Sequence, residues 1–368
     1  VNSERKHIDF FILLITIALM LLSIAFVYSA SASIAQDRFG SPDKLFLSHI
    51  FRVCLGLIAL FVFIKIDYHI WQRFSKYIIF GSLVPLLLVF FIGTSINGAY
   101  RWLYIGPLNF QPSELAKFAL VIHFAALLTQ RQEVIKDFKY GMLPFLVWSS
   151  IICLLIAFQP NFSSAAVIFL IGMAMLLIGN ARIKHLLDVL LTSLAGLIIY
   201  ALSAPYRIAR LESYIGLARG DTIKTDASFQ SQQAIIAFGN GGIYGLGPGQ
   251  SRQSLLYLPE SYGDFIFSII GEEYGFIGTF LILVLFVIFA WRGLKVAKQS
   301  PDSFGYYLAS GIVLTITIYA FVSGAVNSGL LPTTGLPMPL ISYGGTAIIF
   351  YCAAIGILLN ISSQKSVE

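Results

Sequence analysis

The chain has 368 residues, of which 57% are hydrophobic and 11% charged, and its mean hydropathy is +0.82. A soluble domain carries about 25% charged residues, so this composition excludes an ordinary soluble enzyme and points to a protein of the bilayer. The net charge of +6 sits in segments flanking apolar runs, a pattern that fits membrane lipids as neighbours and not nucleic acid.

Apolar runs long enough to span a bilayer recur near 8–29, 45–64, 77–93, 112–128, 142–158, 163–179, 186–203, 264–290, 304–322 and 342–361. They predict an all-α polytopic membrane protein of about ten transmembrane helices, forming one domain over 1–368. A long extracytoplasmic loop, 204–263, separates helices seven and eight. Arg5-Lys6-His7 leads directly into the first run without a small-residue cleavage site, which predicts a retained helix. Outside the long loop most basic residues, from Arg5 and Lys6 through Lys65, Arg73, Lys136 and Arg182 to Lys298, fall on the side of the termini. The positive-inside rule makes that side cytoplasmic, so a multi-pass protein of the cytoplasmic membrane with both termini inside is expected. Cys54, Cys153 and Cys352 all lie within apolar runs, with no disulfide or metal spacing.

In chain order, Ala32–Lys44 carries Gly40, Pro42 and charges and reads as a turn. Arg52, about two turns into the second span, can snorkel outward to the headgroups. The first dense motif is Asn97-Gly98-Ala99-Tyr100-Arg101-Trp102, followed by Gly106-Pro107 and Phe110-Gln111-Pro112-Ser113-Glu114-Leu115-Ala116-Lys117. Pro112 suits the first turn of span four. Glu114 and Lys117 share a helix face one turn apart and can pair, either as a structural pin or as the wall of a polar cavity. Gln159 and Asn161, in a tight turn after span five, need partners or water at membrane depth.

The long loop carries Arg207, Arg210, Arg219, Lys224 and Arg252, an excess of cations that suits lipid headgroups or a phosphate-bearing substrate. Gln230–Gly242 reads as a short amphipathic helix ending at glycine, and the glycine run 241–249 as backbone that turns tightly or approaches a ligand. It lacks the flanking strand and Lys-Ser/Thr of a nucleotide loop. Glu260 and Asp264 close the loop, Asp264 standing where span eight begins as either a helix cap or a catalytic carboxylate. Glu272 and Glu273 point about 100° apart on a helix, so one is expected to pair and the other to face a cavity. Pro332, Pro337, Pro339 and Gly335 exclude a regular helix before Ser342-Tyr343-Gly344-Gly345. No histidine falls in a polar outer motif, and none is assigned as a base.

Four stretches together resemble the SEDS family of peptidoglycan glycosyltransferases (shape, elongation, division and sporulation proteins). They are Arg101-Trp102 with Phe110–Lys117, Gln159-Pro160, Leu258-Pro259-Glu260 through Asp264–Phe267 with Gly271-Glu272-Glu273, and Ile341–Gly345. They occur in the family's order over nearly the whole chain. Gly249–Glu260 and Leu331–Pro337 resemble the division-type FtsW branch more than the elongation-type RodA branch. Two departures stand out: Tyr262-Gly263 where the family has His-Thr, and Asn161 where it has Asp.

The resemblance implies polymerisation of lipid II, with Asp264 as general base on the acceptor GlcNAc 4-hydroxyl and undecaprenyl pyrophosphate leaving. Arg101 and Lys117, with Arg207 or Arg210, would face the pyrophosphate. Glu114 would hold Lys117, Gln111 and Glu260 would border the substrate, and Ser342, Tyr343 and Gly344 would shape the cavity floor. A divalent cation, Mg2+ or Mn2+, can assist, without a dedicated ligand cage in the sequence; no organic cofactor is implied. The implied partners are lipid II and the lipid-linked glycan, a class B penicillin-binding protein and other divisome proteins. A lipid flippase, a non-catalytic scaffold and an elongation-type polymerase are the competing readings.

Overall fold

The computed structural model describes residues 8–96, 99–106, 108–202, 208, 212, 214–216, 226–255 and 257–364. Main chain inside a bilayer has no water to bond with, so apolar stretches close their own hydrogen bonds as helices. The first is α1 (Phe10–Phe39), where the Asp9 carboxylate accepts from the Ile12 N–H at 3.2 Å. It ends at Gly40, whose φ of 69° stops the helix while its N–H donates to Gln36. The segment expected as a turn is therefore mostly helix. Then follow α2 (Lys44–Lys65), α3 (His69–Ile92), α4 (Pro112–Gln130), a π-helical turn (Phe138–Met142) leading into α5 (Leu143–Phe158), α6 (Phe162–Ile178) and α7 (Ile183–Leu202). The later helices are α8 (Asp226–Gly241), α9 (Ile266–Lys298), α10 (Ser303–Asn327) and α11 (Ala347–Ser363).

Among the described residues seven helices are long and apolar enough to cross a membrane: α1 to α4, α5 with its π-helical turn, α9 and α10. The apolar helices α6 and α11 have 17 residues each, and α7, with 20 residues, occupies the seventh expected position. The chain is a multi-pass membrane protein. Its most enclosed helix is α4, buried at nearly every position from Pro112 to Leu128 and packed against α3, α6 and α10. Alongside, α2 packs on α11.

One small sheet joins this helical frame. β1 (Thr94–Ile96), β2 (Ala99–Ile105) and β3 (Leu108–Phe110) run antiparallel in sequence order between α3 and α4. Gly106, at φ 59°, begins the hairpin between β2 and β3. The sequence reading has no strand here. These strands have three to seven residues, too few to establish an alternating pattern.

The glycine run finds its purpose against α9, which breaks at Gly275 (φ 64°, ψ −161°). The break frees main-chain groups, and the chain after α8 satisfies them. Leu246 and Gly247 donate to the carbonyls of Glu272 and Glu273, both at 2.9 Å, while Phe276 and Ile277 donate to Gly242 and Ile243 at 2.9 and 3.2 Å. A Cβ at Gly245 would collide with the Glu273 carbonyl, so this close approach requires glycine. The backbone approached is the protein's own.

Candidate active site

Asp264 lies two residues before the first turn of α9, in a turn closed by the Glu260 carbonyl. That carbonyl accepts from Gly263 at 3.0 Å and from Phe265 at 3.4 Å. Phe265 is the N-cap of α9 and no side chain caps it, so Asp264 is not the helix cap that one reading allowed. Three anchors hold the turn. Ser261 Oγ, buried, donates to the Ala30 carbonyl of α1 at 2.8 Å. Tyr343 N–H donates to the Tyr262 carbonyl at 3.0 Å. Asn327, at the end of α10 and fully buried, donates to the Asp264 carbonyl at 2.8 Å and accepts from the N–H and Oγ of Ser268 at 3.1 and 2.9 Å. Asn327 was missed in the sequence, where it reads only as the polar end of a span.

The anchors fix the main chain and leave the carboxylate alone. Asp264 is partly exposed, and among the described residues no donor reaches its carboxylate. Protein surrounds the rest of the group. Burial above all, then the Glu260 carboxylate, pushes Asp264 up to about 7, with the Arg101 guanidinium pulling the other way. Burial also raises Glu260, against the pull of Arg38. Gly335, at φ 65°, passes so close that a Cβ there would stand 3.2 Å from Asp264 Oδ2. The irregular segment before Ser342 thus walls the carboxylate directly.

Arg101, on β2, donates through Nε to the Gln159 carbonyl at 3.2 Å and through Nη2 to the Pro160 carbonyl. Gln159 is itself buried and donates to Leu86 at 2.9 Å, which answers its need for a partner at depth. The turn after α5 therefore holds the arginine whose charge acts on Asp264. Tyr262, in place of the family's histidine, packs its ring edge-on against Tyr343 at 5.3 Å. Burial pushes its phenol up to about 12, so it stays neutral near pH 7. Ser342 Oγ accepts from Met338 N–H at 2.8 Å and fixes the same irregular segment, and Gly344 sits against Ala347 and Pro337. The N–H of Gln111 donates to Thr346 Oγ1 at 3.4 Å, tying β3 and the start of α4 to this segment.

Other expected residues stand elsewhere. Lys117 Nζ lies 2.7 Å from Glu114 and 2.8 Å from the Tyr351 hydroxyl, over the rings of Tyr319 and Tyr351. At 1% and 5% side-chain exposure the ion pair is enclosed, as the structural pin would be. Glu272 accepts from Asn240, Ser251 and the Gln253 N–H, and Glu273 from Ser29. Both are buried, so neither faces an open cavity as had been expected of one. Arg52 does not snorkel outward; it is buried and lies over Tyr343. Arg207 and Arg210 lie outside the described residues. Among the described residues no group of three His, Cys, Asp or Glu side chains could hold a metal ion.

Known proteins resemble the chain over nearly its whole length. The family described as cell cycle proteins, of the FtsW/RodA/SpoVE type, matches residues 9–367. The "probable peptidoglycan glycosyltransferase FtsW" of Geobacter metallireducens is 38% identical over 363 residues, covering 98% of this chain and 96% of that protein. Stage V sporulation protein E of Bacillus subtilis is 36% identical over 365 residues, covering 98% of both. A chain from a peptidoglycan synthase complex, solved to show coordination of polymerization and crosslinking, superposes with a TM-score of 0.79 at 26% identity, over 96% of this chain and 97% of that one. Rod shape determining protein RodA of Thermus thermophilus shares the fold, with a TM-score of 0.72 at 24% identity and 98% of each chain covered. The chain belongs to this SEDS family of cell cycle proteins, and its relatives place it nearer the FtsW branch than RodA.

Proposed function

We propose that the chain is an inverting peptidoglycan glycosyltransferase that polymerises lipid II at the outer face of the cytoplasmic membrane, in septal wall synthesis. Asp264 takes the proton of the acceptor GlcNAc 4-hydroxyl as its oxygen bonds to the anomeric carbon of the donor MurNAc. The bond from that carbon to the pyrophosphate breaks, and its electron pair leaves with undecaprenyl pyrophosphate. One observation carries the assignment: the turn bearing Asp264 is anchored at Ser261, Tyr262 and Asp264 itself, yet among the described residues no donor fills its carboxylate. A general base needs both, and such a group typically contributes 10²–10⁴-fold.

Arg101 is the cation best placed for the leaving pyrophosphate, with Arg207 or Arg210 as further candidates. Glu260, Gln111 and Ser342–Gly344 border the substrate. The Glu114–Lys117 pair would meet it only after the surrounding helices shift. Mg2+ or Mn2+ would be held chiefly by the substrate phosphates, as magnesium commonly is. The whole chain acts as one domain, and a class B penicillin-binding protein supplies crosslinking. The test is polymer formation from lipid II by the purified protein with its transpeptidase. Wild type is expected to polymerise and Asp264→Ala to make none. Undiminished polymer from the alanine variant would overturn the role given to Asp264.

A further inference from the structure

Among the described residues, Arg52 is the least explained charge. It lies in α2 at 3% exposure, with its guanidinium carbon 4.4 Å from the centre of the Tyr343 ring. Its Nε and Nη1 have no hydrogen-bond partner, and the ion pairs among the described residues are all elsewhere. Its titratable neighbour His49 brings no negative charge: Nε2 meets Ser23 Oγ at 2.9 Å, and Nδ1 is also without a partner.

A buried cation without an anion is strongly unfavourable, and within a membrane span such residues face substrate pathways. Stacking on one tyrosine offsets only part of that cost. The guanidinium is planar, with N–H donors that match phosphate geometry. Its position indicates which phosphate. In the polymerase reaction proposed above, two pyrophosphates occupy the enzyme at once. The donor's is bonded to the carbon under attack and therefore lies beside Asp264, on the Arg101 side. The acceptor's is separated from the attacking 4-hydroxyl by the length of a disaccharide. Arg52 lies beyond the Tyr343 ring, which meets the ring of Tyr262, in the Asp264 turn, edge-on at 5.3 Å.

We propose that Arg52 binds the pyrophosphate of the acceptor lipid, with Tyr343 presenting the guanidinium, so that the site recognises a polyprenyl-pyrophosphate acceptor by charge. This rests on the polymerase reading.

The test uses a lipid II donor lacking the GlcNAc 4-hydroxyl, so that it cannot accept. The donor carries a label, only labelled product is counted, and it is offered two acceptors, ordinary lipid II and an analogue with a neutral ether in place of the pyrophosphate. Wild type is expected to prefer the charged acceptor by about 10- to 100-fold in kcat/KM, the weight of a charge-assisted contact. Arg52→Met should lose most of that preference while keeping its rate on the neutral acceptor, and Arg52→Lys should fall between. A methionine variant that slows equally on both acceptors, or keeps the wild-type preference, overturns the proposal. If Arg52→Met is not monodisperse on purification, Arg52→Gln decides, since an unchanged preference there overturns it too. A wild type that makes no product with either acceptor refutes the polymerase reading itself.

Discussion

Asp264 and Glu272 are carboxylates on one passage from loop into helix, and the structure treats them oppositely. Glu272 is fully buried and takes three donors, from Asn240, Ser251 and the Gln253 main chain, at 2.5 to 3.0 Å. It welds the glycine-rich segment onto the broken helix. Asp264 is partly exposed and takes none, although its backbone is anchored just as firmly. A carboxylate whose acceptor capacity is filled is a structural joint. One that is held in place and left unfilled remains available to a proton.

The widest separation between the two comes from removing each charge. Asp264→Asn should lower polymerisation by 10²–10⁴-fold and leave the melting temperature in detergent at or above wild type. Glu272→Ala should orphan three buried donors at about 1–3 kcal/mol each, so its loss of activity should follow its loss of folded protein. Equal melting temperatures for the two variants would break the distinction.

The Glu114–Lys117 pair tests the same idea from the other side. Lys117→Met leaves Glu114 buried and unpaired, which should destabilise by about 3–5 kcal/mol. Combining it with Glu114→Gln should recover much of that stability. Recovered activity in the double variant would make the pair a pin. A stable double variant that binds lipid II poorly would return Lys117 to the substrate site.

Acidity gives a subtler contrast. With Asp264 at about 7, kcat/KM should rise roughly tenfold per pH unit below that value and level off above it. The stability effect has the opposite sense. Between about pH 4 and pH 7 the folded state holds a proton that the unfolded chain has released, so Asp264 makes stability fall as pH rises through that window. Asp264→Asn should remove this slope, and Glu272→Gln should leave the Asp264 part of it in place.

Much of this was legible in the sequence, and the limits have physical causes. The helical frame follows from apolar runs that must satisfy their own backbone, and the Glu114–Lys117 contact from three-residue spacing on a helix. Helix α8 ends at glycine close to where composition predicts. What was hidden depends on contacts distant in sequence. Nothing local shows that Arg52 meets Tyr343, or that Asn327 reaches back to Asp264 and Ser268. The glycine run suggested a close approach, but its partner, the break at Gly275, is visible only in the fold. Arg52 itself illustrates the limit, because snorkelling and burial are equally available to an arginine two turns into a span.

The smallest effect expected is at Gly335, and it asks how finely the unfilled carboxylate is placed. Its φ of 65° disfavours any side chain, and a methyl would stand 3.2 Å from Asp264 Oδ2. Gly335→Ala should therefore cost about 1–3 kcal/mol in backbone strain. It should also displace the carboxylate by a few tenths of an ångström. A misplacement of about 1 Å can cost 10²-fold, so a loss of roughly tenfold in kcat with little change in KM is expected, read at a temperature where the variant is folded. A variant destabilised by that amount with unchanged kcat would mean that the Pro-rich segment supports the site without setting the position of Asp264. The anchoring would then rest on Ser261, Asn327 and Tyr343 alone.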